Sequence, residues 1–551
     1  FGSRVEAFRP LPFSHAVWTS CCLEFSPSES EFLSNSAKLW WKRRSQIDLP
    51  DVTMSDGHVT VGQCIEGLPI GVFVWELLLC AFLASFWLGA LNEPTPFALG
   101  LLNTDWAFNE LNVQAVLAAM GVGNAISTLL AGWFADKSGR NVVIRFLTLS
   151  TVSCGLLVQS SRTLGQTLCS RFLLGLTSGG LMAAIIPLVA ELLPARRRGF
   201  YLTVWCCGRP AGALLAVILS CLLPRLDWTN FVFMMSAPAV VLYVLCRLDV
   251  MPESPRYLYL AGRREEGFLT LAEMYDKEMM CLPWGPDSVS LTTSSEVKEV
   301  KSGLRSLAHS DAAITAWLCL VIFSSHCASQ CMRAWIPMIL ATGSSHQSPV
   351  MLLALSLLQA ESPQPHPSPG LDRHLVMVAA QGYMLEICGI VICAAISFAL
   401  TRRLLVRGAL CAAAVLAIAA TLAERRNLWV TAGPLYGLAL VANAAAANFL
   451  LVFACERFPT SSRASAVGLV LFFGQVAELF APSMGVIMLN RFSVQSAVLA
   501  FNSLYFVAFL LSFQLPLPGH HERTLHDIEV KGSRDPLTRN RKRLGMSYQT
   551  V

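Results

Sequence analysis

The sequence is poor in charged residues. Only 14% of its 551 residues are Asp, Glu, Lys or Arg, whereas soluble globular chains contain about 25%. Hydrophobic residues reach 54% and the mean hydropathy is +0.54. A chain this apolar cannot cover its surface with polar groups in water, which excludes a set of soluble domains. It is equally unlike a disordered chain, which is rich in charge and poor in apolar residues. The composition therefore predicts a protein embedded in lipid.

Several motifs of metal-binding and catalytic proteins are also missing. The sequence contains 18 cysteines but no CxxC pair, which argues against zinc or thioredoxin-like chemistry. Most of these cysteines lie in apolar runs, where a thiol behaves as a small hydrophobic group. No HExxH, P-loop or GxSxG motif is present. We therefore expect no enzyme, catalytic residue, metal or cofactor. The formal charge of +5 is too small to indicate a nucleic-acid partner.

Twelve apolar runs are long enough to cross a bilayer. They lie near residues 69–91, 113–134, 142–160, 166–190, 200–224, 228–248, 312–341, 376–400, 406–423, 428–454, 465–489 and 494–515. Since every backbone polar group in hydrocarbon must be paired internally, we interpret the runs as helices. The sequence thus predicts an all-α membrane protein with twelve transmembrane helices in two six-helix bundles.

The predicted bundles are separated by a polar stretch. The predicted divisions are a disordered cytoplasmic segment 1–68, a bundle 69–248, a cytoplasmic linker 249–311, a bundle 312–515 with a loop insertion 342–374, and a cytoplasmic tail 516–551. Basic residues concentrate in alternate short loops, for example at Arg196–Arg198 and Arg402–Arg403. Such loops stay on the cytoplasmic side. Both termini are therefore predicted to be cytoplasmic.

The two halves repeat each other. Glu191-x-x-Pro-x-x-x-Arg198 at the end of the fourth run returns as Glu456-x-x-Pro-x-x-x-Arg463 at the end of the tenth. Arg140 and Arg402, and likewise Pro252 and Pro516, recur at nearly the same spacing. We interpret this as a duplicated six-helix unit. Two parallel six-helix repeats predict a binding site between the halves, near the middle of the bilayer.

Residues 132–140, Gly-Trp-Phe-Ala-Asp-Lys-Ser-Gly-Arg, match the loop signature GxLaDrxGR of the major facilitator superfamily. Residues 191–198, 252–256 and 456–463, with the tail segment 524–529, resemble the organic ion transporters, the solute carrier 22 family. The resemblance implies the major facilitator fold and movement of small organic ions by alternating access, without a cofactor. It assigns gating and conformational roles to Gly132, Asp136, Gly139, Arg140, Glu191, Arg198, Glu253, Arg256, Glu456 and Arg463. The alternative is that these residues serve folding and topology alone.

The sequence departs from the pattern of that family in several places. The first loop, 92–112, is short and without cysteine, and the chain has no Asn-x-Ser/Thr sequon. Thr401 stands where the second-half loop motif has glycine. Gln475 and Ile390 occupy positions at which cation or anion carriers of the family have a charged residue. In these respects the sequence resembles the orphan members of the family.

Several polar residues remain within the apolar runs, where an ionisable side chain is a functional candidate. The substrate-binding candidates are Arg209, Gln475, Glu478, Glu386, His326 and Gln330. Arg209 is predicted near mid-depth, either facing an anionic ligand or paired internally with a glutamate such as Glu478. His326 is either a cavity residue or a core histidine.

The sequence favours a carrier that moves a small organic ion or polar metabolite across a membrane. A receptor or scaffold of the same shape, which binds its ligand without transport, is the alternative. The predicted partners are the lipid bilayer and the small solute, with no nucleic acid, and no protein partner is indicated. The family resemblance implies the plasma membrane.

Overall fold

The computed structural model describes most of the chain between residues 59 and 517. The described residues are 59–92, 110–222, 228–280, 282, 284, 288–290, 312–342, 369–397, 400–426, 429–491 and 494–517. Most of the predicted disordered segment 1–68, most of the predicted insertion 342–374 and most of the tail 516–551 lie outside these residues.

The first half of the described chain is almost entirely helical. It comprises β1 (Val59–Thr60), α1 (Val61–Glu66), α2 (Val72–Asn92), α3 (Glu110–Ser138), α4 (Arg140–Ser160), α5 (Leu164–Ser178), α6 (Leu181–Leu192), α7 (Ala195–Trp205), α8 (Gly208–Leu222), α9 (Trp228–Ser236) and α10 (Ala239–Arg247). Leu- and Val-rich sequence gives these helices their apolar faces. Large apolar side chains such as Trp75, Phe146 and Leu222 remain exposed, as expected for surfaces that face lipid.

The structure differs from the predicted single helices in three runs of this half. Gly179–Gly180 separates α5 from α6, Cys206–Cys207 separates α7 from α8, and Ala237–Pro238 separates α9 from α10. Glycine weakens a helix, and proline has no N–H for the helical ladder. The break at Cys206–Cys207 precedes Gly208 and Pro210, and the missing N–H of Pro210 would otherwise bond the Cys206 carbonyl oxygen. Each pair of pieces still follows one path. The stretch Leu164–Leu192, for example, remains long and apolar enough to cross a membrane.

The polar stretch after α10 forms a small folded unit, and a second set of long helices follows. The elements are α11 (Pro255–Leu260), α12 (Arg264–Lys277), β2 (Val289–Ser290), α13 (Ala312–Thr342), α14 (Pro369–Ile396), α15 (Arg402–Arg425), α16 (Trp429–Arg457), α17 (Arg463–Arg491), α18 (Val494–Leu511) and a short 3-10 turn (Ser512–Gln514).

The predicted fold class is confirmed. In the described part of the chain, eleven helical stretches are long and apolar enough to cross a membrane, and α14 contributes a shorter apolar stretch, Gly382–Ile396. These stretches correspond to the twelve predicted runs, six before and six after the polar stretch. The described part of the chain is thus an all-α, membrane-type structure with two sets of six apolar helical stretches.

The two halves meet most closely where α3 lies along α17. A Cβ atom on Gly132 would be 2.5 Å from the carbonyl oxygen of Ala464. A Cβ atom on Gly468 would be 2.4 Å from the carbonyl oxygen of Thr128. Each backbone thus approaches the other at a glycine, a form of close packing that is common between membrane helices. A second contact between the halves joins α8 to α14.

The segment before the first long helix is held by the unit between the halves. We call residues 59–66 (β1 and α1) the amino-terminal arm. β1 pairs in parallel with β2, Val59 opposite Val289. The Tyr275 hydroxyl donates a hydrogen bond to the Cys64 carbonyl oxygen at 2.7 Å. The Phe73 amide at the start of α2 donates to the Glu278 carboxylate at 2.9 Å.

Candidate functional site

A buried carboxylate joins the two halves at one end of the helices. Glu191, in the last turn of α6, is fully buried, as are its two partners. Its Oε1 lies 3.1 Å from Nη2 of Arg140 and 2.6 Å from Nη1 of Arg463. Arg140 belongs to the first half and Arg463 to the second. Glu191 therefore bridges cations from both halves, in surroundings where a charge without its partner would be costly.

The repeated motif forms a second, matching pair across the halves. Nη1 of Arg198 lies 3.7 Å from Oε1 of Glu456, and both side chains are almost fully buried. Glu456 also accepts a hydrogen bond from Arg402, the second-half counterpart of Arg140. The arginine of each copy of the motif thus faces the glutamate of the other copy. We call this group the charged lock; its members are Asp136, Arg140, Glu191, Arg198, Arg402, Glu456 and Arg463.

Asp136, in the last turn of α3, caps the amino terminus of α17 in the second half. Its carboxylate oxygens accept hydrogen bonds from the backbone amides of Ala464 (3.1 Å) and Ser465 (2.7 Å), at the start of α17. A carboxylate at a helix amino terminus satisfies free amides and interacts favourably with the helix dipole. Asp136 also lies 3.4 Å from Nη2 of Arg140. The helix start of one half is therefore held by a side chain of the other.

Backbone carbonyl oxygens add further contacts to the two central arginines. Nη2 of Arg140 donates to the Thr460 carbonyl oxygen at 2.6 Å, another contact between the halves. Nε of Arg463 donates to the carbonyl oxygens of Cys455 (2.8 Å) and Phe458 (3.2 Å). Neither carbonyl acceptors nor their positions follow from a sequence motif, so these contacts were not predicted.

Glu253, in the polar stretch after α10, caps the start of α4. Its carboxylate accepts hydrogen bonds from the amides of Arg140 (3.1 Å) and Asn141 (3.0 Å). Burial raises the pKa of the Glu253 carboxyl, and the nearby Arg140 guanidinium opposes that shift. The Tyr257 ring stacks against the same guanidinium, with its centroid 4.6 Å from Cζ of Arg140. The polar stretch thus orients Arg140 for its contacts with Glu191 and Asp136.

Arg256 takes a different position from the other gating candidates. It is buried, and its guanidinium packs against Gly62 of the amino-terminal arm, where an added Cβ would be 3.2 Å from Nη2. Its described neighbours thus include the arm. Its predicted gating role stays a prediction.

Gly139, between α3 and α4, has a backbone conformation and surroundings that favour glycine. Its φ of 104° is unfavourable for residues with a side chain, and an added Cβ would be 2.5 Å from Oε2 of Glu253. We expect Gly139→Ala to destabilise the protein by about 1–3 kcal/mol. Thermal unfolding in detergent would register this as a lower midpoint temperature.

Variants of two other glycines distinguish the effect of backbone strain from the effect of a steric clash of the added Cβ in that experiment. Gly262 has a φ of 81° with open space around its added Cβ, so Gly262→Ala reports backbone strain alone. Gly165 has open space and no positive φ, so Gly165→Ala serves as the unstrained control. Equal midpoints for all three variants would contradict the expected role of Gly139.

A second polar group lies farther along α17, near the middle of the predicted apolar run 465–489. The helix rise of about 1.5 Å per residue places Glu478 roughly 22 Å from Arg463 along the axis. Oε1 of Glu478 lies 3.4 Å from Nη2 of Arg209, and its Oε2 accepts from the Gln475 amide at 2.9 Å. Arg209 belongs to α8, so this pair also joins the two halves. The Arg209 side chain is still 41% exposed and the Glu478 side chain is 19% exposed.

The sequence left two alternatives open for Arg209, and the structure shows the pairing with Glu478. Because the Arg209 side chain remains partly exposed, the pair does not seal it from a ligand. The substrate role of Arg209, Glu478 and Gln475 stays a prediction.

The other candidates lie on α13 and α14. Nδ1 of His326 is 3.0 Å from the Ile322 carbonyl oxygen, one turn earlier in the same helix. His326 also lies within electrostatic range of Arg209, Glu478 and Arg333. Gln330, one turn after His326, is half-buried. The histidine therefore lies near both the Arg209–Glu478 pair and a further cation on its own helix.

That further cation, Arg333, was missed in the sequence. Its Nη2 lies 2.9 and 3.0 Å from the two carboxylate oxygens of Glu386. Both side chains are largely buried. The available signal was the spacing of His326, Gln330 and Arg333, which places all three within two turns on one side of a helix. Glu386 was predicted as a candidate without its partner.

Four of these described residues thus form two ion pairs of zero net charge, Arg209 with Glu478 and Arg333 with Glu386. Within the described ranges, no three His, Cys, Asp or Glu side chains form a metal-ligating group. What this arrangement offers chemically is two guanidinium groups whose carboxylate partners a ligand carboxylate could replace.

Comparisons with known proteins agree with this architecture. A family model described as Major Facilitator Superfamily matches residues 77–449, more than half of the chain. The benzoate transport protein of Acinetobacter baylyi is 25% identical over 311 residues, which are 54% of this chain and 65% of that protein. The 4-hydroxybenzoate transporter PcaK of Pseudomonas aeruginosa is 27% identical over 236 residues, 43% of this chain and 50% of the transporter. The chain thus matches between half and two thirds of these relatives.

A solved structure shares the fold. The proton:xylose symporter XylE of E. coli, bound to 6-bromo-6-deoxy-D-glucose, superposes with a TM-score of 0.63. The match covers 82% of this chain and 98% of that one, at 15% sequence identity. At this identity the likeness shows the fold alone. The predicted two-bundle fold is confirmed by it.

Proposed function

Because the chain belongs to the Major Facilitator Superfamily, we propose that it carries a small organic solute across a membrane by alternating access. In this mechanism the two halves rock about a site at mid-depth, so that each end opens in turn. The protein is then a transporter and not an enzyme.

The observation that carries the proposal is the crossed pairing within the charged lock. Glu191 with Arg463, and Arg198 with Glu456, join opposite halves at the same end of the helices. Opening this end requires all of these contacts to break together, whereas closing it restores them together. Such a group gives the molecule two discrete states, which is what alternating access needs.

The mid-depth pairs supply the proposed substrate site. Arg209 and Arg333 each present a guanidinium to a carboxylate, and the planar guanidinium fork suits carboxylates in general. The two relatives are named for benzoate and 4-hydroxybenzoate, both aromatic carboxylates. We therefore propose a small organic acid as the substrate, with its carboxylate taking the place of Glu478 beside Arg209.

Two finer assignments belong to the same proposal. The motifs at 191–198 and 456–463 support membership in the organic ion transporter family, with a plasma-membrane location. The distribution of basic loops supports cytoplasmic termini. The charged lock would then close the cytoplasmic end, and the opposite end would be the open one.

Uptake of labelled benzoate and 4-hydroxybenzoate into liposomes containing the purified protein tests the proposal. We expect saturable uptake that unlabelled compound on the opposite side accelerates, and none in liposomes without protein. Saturable binding of these acids with no flux would support the receptor alternative. Neither binding nor flux, over a wider panel of organic ions, would overturn both the transport proposal and its substrate class.

A further inference from the structure

The charged lock is not symmetric, although the repeat predicts that it should be. In the first half, Asp136 reaches across to cap the start of α17. Phe398 precedes Arg402 by four residues, as Asp136 precedes Arg140, so Phe398 occupies the position in the second repeat that corresponds to Asp136. A phenyl ring cannot accept amide hydrogen bonds from a helix start. The second half therefore has no carboxylate at this position with which to cap α7.

A carboxylate from outside both repeats caps the start of α7, one turn before Gly199 and Phe200, the repeat counterparts of Ala464 and Ser465. The residue before α7 is Pro194, whose side chain makes no capping hydrogen bond. The Ala195 amide, at the first position of the helix, donates to Oε1 of Glu66 at 3.1 Å. Glu66 is the last residue of α1, in the amino-terminal arm, and it lies within electrostatic range of Arg198. The arm thus brings a negative charge to the helix start that carries a lock arginine.

The arm is held in place by contacts that are independent of the transmembrane repeats. Thr60 and Gln63 form a capping box that stabilises α1. Val59, Val61 and Ile65 are buried. The pairing of β1 with β2 and the Tyr275 hydroxyl bond to Cys64 attach the arm to the polar unit between the halves. The arm is therefore a small, separately anchored piece that ends at the start of α7, three residues before the lock arginine Arg198.

We propose that Glu66 is a positioning residue of the charged lock, and that docking of the amino-terminal arm strengthens the closed state of this end. Glu66 fixes the start of α7 and offsets the charge of Arg198, which keeps Arg198 in place opposite Glu456. Releasing the arm weakens the crossed pairs and favours opening. The inference rests on the proposed alternating access, because it assigns the arm to one of its two states.

Hydrogen–deuterium exchange of the full chain in lipid nanodiscs tests the inference without requiring a substrate. In Glu66→Ala we expect amides in two peptides, 195–205 and 460–470, to exchange about tenfold faster, the effect of losing a charged hydrogen bond. The second peptide holds the Ala464 and Ser465 amides, which bond to Asp136 and not to Glu66. Faster exchange there reports opening of the lock and not a local loss of the cap.

Two milder variants and one control complete the experiment. Glu66→Gln keeps an acceptor oxygen without the charge, so about threefold faster exchange is expected in both peptides. Tyr275→Phe removes the hydroxyl that holds Cys64 and should act in the same direction, which keeps the test decisive if Glu66→Ala folds poorly. Glu265→Gln removes an exposed carboxylate from the same polar unit and should change neither peptide.

The outcomes separate this inference from the proposed function. Faster exchange confined to 195–205, or unchanged exchange in both peptides, would overturn the role of the arm even if uptake of organic acids is observed. Faster exchange in both peptides would support it even if no flux is found, in which case only the transport proposal fails.

Discussion

Glu191→Gln is expected to reduce solute uptake at least a hundredfold while opening the charged lock. The substitution keeps the shape of the side chain but removes the charge that Arg140 and Arg463 share, and all three residues are fully buried. Removing one partner of a buried ion pair costs about 3–5 kcal/mol. The closed state of this end bears the loss of the Arg463 contact, which is already broken when the end is open, whereas Arg140 lies in the same half as Glu191 and stays beside it in both states. The balance between the two states should therefore shift by a factor of about a hundred or more.

Exchange of the 460–470 amides and initial uptake rates, at matched protein content, would measure the two effects. Glu456→Gln, at the repeat counterpart, should act in the same direction but less strongly, because its contact with Arg198 is longer, at 3.7 Å. Glu266→Gln is the matched control, since Glu266 pairs with Arg263 on the exposed surface. A Glu191→Gln protein with normal exchange and normal uptake would show that the charged lock does not set the conformational balance.

Arg209→Ala is expected to lower benzoate uptake about a hundredfold without opening the charged lock. Its guanidinium is the proposed partner of the substrate carboxylate, and truncating one side of a hydrogen-bonded charge pair costs about 2–5 kcal/mol. Arg209→Lys keeps the charge but not the planar fork, so an intermediate loss is expected. Initial uptake rates over a range of benzoate concentrations would show the loss, and exchange of residues 460–470 should match the wild type.

Two comparisons make the Arg209 result specific. Arg145→Ala removes an arginine whose partner, Asp249, is exposed, and uptake should stay within about twofold of the wild type. The exchanged pair Arg209→Glu with Glu478→Arg restores a salt bridge but reverses its direction between the halves. We expect it to stay inactive. Full activity of the exchanged pair would show that Arg209 serves only as a partner for Glu478.

The fold was largely predictable because each span carries its own signal. An apolar run of sufficient length must become a helix in lipid, whatever surrounds it. The charged lock was partly predictable for a different reason. Copies of one motif at 191–198 and 456–463 indicated a duplication, and buried charges of both signs in each copy indicated that they have partners. The sequence did not indicate that each arginine faces the glutamate of the other copy.

The remaining contacts depend on tertiary structure. Arg333 pairs with Glu386 from another helix, and no local pattern links the two. Glu66 lies in a short polar segment before the first span, where a glutamate is unremarkable, and its contact with Ala195 follows only from docking of the arm. The helix breaks at Gly179–Gly180 and Cys206–Cys207 were hidden because apolar composition continues through them.

The Glu278 cap on α2 has a consequence for biosynthesis. The Phe73 amide and its acceptor are separated by 205 positions in the chain. At a synthesis rate of about 5–20 residues per second, Glu278 is added to the chain roughly 10–40 seconds after Phe73. During that interval the amino end of α2 relies on water or lipid headgroups. A chain that ends before residue 278 would lack the carboxylate that accepts the Phe73 amide, so the amino end of α2 would be uncapped.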